Sequence, residues 1–156
     1  METNNQLEPK FMTDRFRILR GKVSLDLMRL DENTETLPSL IQESGECAGY
    51  AMEIRDTLKE ELEYVYSAEF SRLKSPSEGR PPSDDVTDNA VIASDTYQQK
   101  LKEYQEARLD AKIWQNLANS LDKKSFSINT SAQLIISGYI TRDSIIERRR
   151  KEIRTA

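Results

Sequence analysis

Histidine is absent from these 156 residues, and there is one cysteine, Cys47. The first absence removes the usual general base at neutral pH and the commonest metal ligand. The second excludes an internal disulfide and any cysteine-cluster zinc site. Glycine and proline number five each, too few for a sandwich of many short strands and tight turns. Aromatic residues make up 7% of the chain, so the core is expected to be thin. No apolar run approaches the roughly 20 residues that span a bilayer. The polar stretch Met1 to Gln6 lacks the basic-then-apolar order of a secretion signal, so a reducing, cytoplasmic setting is expected. Neither GxxxxGK[ST] nor GxGxxG occurs, so nothing in the sequence argues for a nucleotide pocket.

What the chain does have is charge. Charged residues are 32% of the total, with 23 basic against 27 acidic and a net charge of -4. That is above the usual quarter and suits long, solvated helices. Enzyme chemistry is disfavoured, and no cofactor or metal is expected. Glu60 and Glu63 share a helix face, but no second acidic cluster or histidine completes a ligand set.

Three segments emerge. Residues 1–35 are expected to be irregular and partly basic. Residues 36–140 form a helical hairpin with a loop at 75–86, which holds three of the five prolines. Residues 141–156 form a basic C-terminal helix or tail. The first helix is expected to start near Thr36, with Pro38 in its first turn. Its apolar stripe runs Leu37, Leu40, Ile41, Ala48, Ala51, Ile54, Leu58, Leu62 and Val65. Gly45 and Gly49 weaken this helix by about 1 kcal/mol each and would let another backbone approach closely. Cys47 suits a small buried position.

A short helix capped by Thr87 is expected before a second long one, capped by Ser94 or Asp95. The long helix carries Tyr104, Ala107, Ala111, Trp114, Ala118, Leu121, Ser125, Ile128, Ala132, Ile135 and Tyr139. The steps alternate between three and four, the mark of a coiled-coil seam. Leu101, Leu109, Ile113 and Leu117 widen it. The seam predicts one helix from about Asp95 to Ser137, with Gly138 as its cap. Trp114 suits the core of the hairpin or a subunit contact. The fold class is therefore all-α: a long antiparallel, coiled-coil-like helical hairpin with a short C-terminal helix. Its wide stripes are expected to form a homo-oligomer.

The charges are unevenly spread. Lys10 to Lys22 holds five basic residues against Asp14, interleaved with Phe11, Phe16, Ile18 and Leu19. Arg142 to Arg154 holds six basic residues against three acidic ones. Arg72, Lys74 and Arg80 form a smaller basic group near the bend. Basic ends on an acidic body suit single-stranded nucleic acid, or simply solubilise the chain. Asp84, Asp85 and Asp88 suit a helix N-terminus or an acidic partner contact.

The layout resembles the UvsY-like recombination mediators of tailed phages. The resemblance rests on Ala90-Val91-Ile92-Ala93-Ser94-Asp95 after the loop, then a long helix with a central Trp114 and the late basic pair Lys123-Lys124. Before the loop, a long helix ends in Ser71-Arg72-Leu73-Lys74. The similarity covers about residues 36–136. Arg72 matches the arginine of the family's Lys-x-Arg pair; Phe70 stands at the lysine position, and Lys74 is the available substitute. The resemblance implies a non-enzymatic, ring-forming homo-oligomer. Such proteins bind single-stranded DNA and help a RecA-type recombinase displace the single-strand-binding protein, in the host cytoplasm if the chain is phage-encoded. Arg72, Lys74, Arg80, Arg148, Arg149 and Arg150 are the expected DNA contacts. The alternative is a helical scaffold or adaptor acting only through protein contacts. A regulator with a basic arm would need a helix-turn-helix or ribbon, and none is evident.

Overall fold

The computed structural model describes residues 8–75 and 82–155. Among these residues every regular element is helical. The elements are α1 (Thr13–Gly21), a 3-10 turn (Leu27–Arg29), α2 (Leu30–Lys74), α3 (Asp84–Ile92), α4 (Asp95–Ile136) and α5 (Arg142–Thr155). The two long helices pack against each other. The chain divides into two compact units, Met1–Phe11 with Ala48–Ile113, and Met12–Cys47 with Trp114–Ala156.

In the first unit the C-terminal part of α2 runs antiparallel to the start of α4. The pairing is set by Glu61 with Lys100 at 2.7 Å and by Tyr66 edge-on to Tyr97 at 6.1 Å. Ala48, Ala51, Leu62, Val91, Ala107 and Ala111 are buried here. In the second unit α1 supplies buried Phe16 and Leu19, and α4 supplies buried Trp114, Leu117, Leu121 and Ile128. Phe16 meets Trp114 edge to face at 5.4 Å, the arrangement that opposes ring edge to ring face. Trp114 thus takes a core role.

The helix ends follow the sequence closely in α4. Ser94 caps it, accepting the Tyr97 N–H at 3.3 Å. Gly138 closes it at φ 76, a left-handed conformation that only glycine adopts at little cost. Thr141 and Ser144 cap α5 reciprocally, each side chain accepting the other's backbone N–H.

Four expectations need correction. Residues 13–21 and 30–35 are helical rather than irregular. Phe16 and Leu19 bury one face of α1, and Asn33 Nδ2 ties the start of α2 to the carbonyls of Asp26 and Arg29. Pro38 therefore lies inside α2 instead of opening it, at the loss of one backbone donor. Thr87 is not a cap: α3 begins at Asp84, and buried Thr87 donates its hydroxyl to the Ser83 carbonyl. Gly45 and Gly49 are exposed, and a Cβ built on either meets nothing within 4 Å, so no other backbone among the described residues approaches them closely.

Along α4 the buried row is Ala107, Asp110, Trp114, Leu117, Leu121, Lys124 and Ile128. It keeps the three-four alternation but places two charged residues on the seam. Leu109, assigned to the widened stripe, faces outward.

Candidate nucleic-acid interface

The six candidate cations fall into two groups. Arg72 and Lys74 occupy the last turn of α2, in the first unit, where positive charge complements the helix C-terminus. Both are already engaged. The Arg72 guanidinium holds Glu69 Oε2 through Nη2 at 2.7 Å and Nε at 3.1 Å. The Lys74 ammonium pairs with Asp84 on α3 and sits 5.5 Å from the centre of the Phe70 ring. This end of the first unit also holds the Tyr66 hydroxyl, which donates to Asp88. That bond to a carboxylate pushes the Tyr66 pKa up. Arg80 lies outside the described residues.

Arg148 and Arg150 are exposed on α5, in the second unit. Arg149 belongs to the same helix, and its side chain is outside the described residues. Lys151 pairs loosely with Glu147 at 3.7 Å, one turn away. Ion pairs this exposed contribute little and exchange readily with another anion.

Most cations of the N-terminal basic segment have acidic or aromatic neighbours. Lys10 binds Glu106 at 2.8 Å, Arg15 pairs with Glu43, and Arg17 faces Asp14 at 3.6 Å. Arg20 lies over the Phe16 ring, 5.9 Å from its centre. Four of the five cations thus make contacts within their own unit.

The late basic pair also divides. Lys123 is exposed, whereas Lys124 is buried and donates to the Lys22 carbonyl at 2.8 Å and Asn33 Oδ1 at 2.7 Å. Burial lowers its pKa, because a dry site disfavours the ammonium form. Asp110 is the counterpart in the first unit. Its Oδ2 accepts the backbone N–H groups of Lys10 and Phe11, each at 2.9 Å. A carboxylate for two amides and an ammonium for two oxygens leave the buried charges compensated. Neither was expected from the sequence as a buried charge; the signal that could have found them is their three-four spacing with the apolar residues Ala107, Trp114, Leu117, Leu121 and Ile128.

Two crevices flank these helices. One, of about 380 Å³ in the first unit, is lined by Phe11, Ala51, Ile54, Leu58 and Ala107 with Glu103, Glu106 and Asp110 at its margin. The other, of about 450 Å³ in the second, is lined by Leu37, Pro38, Ile41, Ser125 and Ile128. Cys47 is buried, which pushes its thiol pKa up, against a smaller opposing pull from Arg15. Among the described residues no group of three or more Cys, Asp or Glu is placed to hold a metal ion, and no helix is long and apolar enough to cross a membrane. No known family model, curated protein or solved structure matches the chain.

Proposed function

We propose that the protein is a non-catalytic, self-associating mediator of recombination. It binds single-stranded DNA and helps a RecA-type recombinase take the place of single-strand-binding protein. The observation that supports this reading is α5, an exposed helix with an excess of cations, Arg148 and Arg150 among them. A cationic track of this kind holds a phosphate backbone without reading its sequence. Self-association gathers several copies of α5 and multiplies a weak contact. The recombinase and the displaced protein enter through the resemblance of residues 36–136 to UvsY-like mediators.

The ion pairs at the end of α2 refine the assignment. Arg72 and Lys74 are neutralised by Glu69 and Asp84, so the strand competes with two carboxylates there. The proposed contacts are Arg148, Arg149 and Arg150 on α5 together with Arg72, Lys74 and Arg80. The same two pairs favour a second reading, a helical adaptor that acts through protein contacts alone.

Fluorescence anisotropy with a labelled oligothymidine separates the two. The mediator reading predicts binding that falls steeply between about 50 mM and about 200 mM salt. Absence of binding at both concentrations leaves the adaptor.

A further inference from the structure

The segment ahead of α1 is held in the manner of a bound peptide. Residues 8–11 form no helix of their own. The backbone N–H groups of Lys10 and Phe11 both meet one oxygen of Asp110, at 2.9 Å each. The Lys10 ammonium reaches Glu106 at 2.8 Å, one turn earlier on α4. Pro9 is fully buried, and Phe11 lines the crevice with Ala51, Ile54 and Leu58. Main-chain bonds joined to side-chain anchors are how folds take up extended peptides. This strap and its seat lie within the first unit.

The joint that follows is strained. Met12, the N-cap of α1, has φ 54 and ψ 41, and among the described residues no other non-glycine has a positive φ. In this left-handed region an L side chain crowds the following carbonyl. A helix N-cap ordinarily takes extended backbone. Met12 is 45% exposed, so burial of its own side chain does not impose the conformation. Turning Met12 to the extended region relieves the crowding. Its carbonyl moves with α1 and keeps the Phe16 N–H, now at 3.0 Å, while the strap leaves its seat.

We propose that residues 8–11 exchange between two copies of this chain, each strap seated on Asp110 and Glu106 of the other copy. A second copy is the occupant because it carries the identical segment. Every strap contact is remade across the exchange and cancels from the balance. What remains is the relief of Met12, twice per pair, set against the entropy of association. A short hinge under strain is the arrangement that favours exchange, and two mutual exchanges close on a two-fold axis. The proposal supplies a contact for the self-association in the preceding reading and requires nothing of its DNA part.

Sedimentation velocity of the full chain without DNA, over a range of concentrations, tests the exchange at two places. The first is the hinge. Met12→Gly tolerates the left-handed backbone and is expected to weaken association by about tenfold, since two hinges relax per pair. Met12→Ile, β-branched and poorly suited to that backbone, is expected to strengthen it. The second is the ion pair, whose side chains are 71% and 40% exposed, so that reversing either charge leaves the fold intact. Lys10→Glu and Glu106→Lys each oppose like charges within their own chain. Mixed together, each strap meets the opposite charge on the other variant. The mixture is therefore expected to associate about tenfold more tightly than either variant alone.

A mixture no tighter than its separate components, or Met12 variants that leave association unchanged, overturns the exchange while self-association through another surface stands. A wild type and a mixture that both stay monomeric overturn the exchange and the self-association together. Exchange without any oligothymidine binding removes the mediator reading and leaves the strap contact standing.

Discussion

The two units solve the same packing problem with different chemistry. In the first, the helices are small-sided, with alanines at Ala48, Ala51, Ala107 and Ala111, and charges at the margin link them. Lys100 joins Glu61 and Glu103, Lys10 joins Glu106, and Lys74 joins Asp84. In the second, large side chains do the work: Phe16, Leu19, Trp114 and Leu121 are buried around one edge-to-face aromatic pair. Ion pairs at the margin thus mark the first unit, and large buried side chains the second. The second also carries exposed apolar residues at the end of α4 and the basic helix α5 on which the proposed strand binding rests.

The contrast is broken most severely at Trp114. Trp114→Ala is expected to destabilise the protein by about 3–5 kcal/mol, read from the denaturant midpoint, because it empties a fully buried site and removes the edge-to-face partner of Phe16. An equivalent truncation of Leu58, half-buried in the first unit, should cost distinctly less.

Next come the two buried charges. Lys124→Ala strands the Lys22 carbonyl and Asn33 Oδ1, and Asp110→Ala strands two backbone N–H groups. Each is expected to cost about 1–3 kcal/mol. Hydrogen exchange should separate them: Asp110→Ala speeds exchange at Lys10 and Phe11, whereas Lys124→Ala loosens the start of α2. Asp110→Asn, which keeps an acceptor oxygen, should restore part of the loss.

A pH titration sharpens the comparison further. Hydrogen bonds from Lys100 and Lys10 hold Glu103 and Glu106 below the usual carboxylate range. Groups lowered on folding contribute stability above their unfolded pKa, and it is lost as pH falls through the folded value. Glu103 and Glu61 push Lys100 up to about 12. Its contribution is full below the unfolded lysine value and disappears as pH rises through about 12. Protection factors, which correct for the slower intrinsic exchange in acid, should fall in the first half of α4 before they fall around Trp114.

The smallest effect belongs to the end of α2. Arg72→Ala and Lys74→Ala should change stability by no more than about 1 kcal/mol, since both pairs are largely exposed. In an oligothymidine titration they should also weaken binding less than Arg148→Ala with Arg150→Ala.

Much of the architecture was legible in the sequence. The unbroken heptad phase through Ser125 to Ser131 defined α4 despite poor local helix propensity, and Gly138 marked its end. α1 was less legible, because a nine-residue helix with two buried apolar positions resembles a polar connector. Pro38 misled for a physical reason: proline favours a first turn, but the Asn33 bonds hold the chain helical before it. Asp110 and Lys124 were hidden by their charge, which reads as solvated until a partner is in view. The basic N-terminal segment looked like a binding track because its acidic partners, Glu43 and Glu106, are distant in sequence.

Native mass spectrometry of the full chain, with and without a short oligothymidine, tests most directly the claim that the protein self-associates and presents its basic helices to the strand. The expected result is an assembly of two or more chains that gains the mass of the strand, with the gain abolished by Arg148→Ala and Arg150→Ala together. A single chain at every concentration, unchanged by the strand, would contradict it.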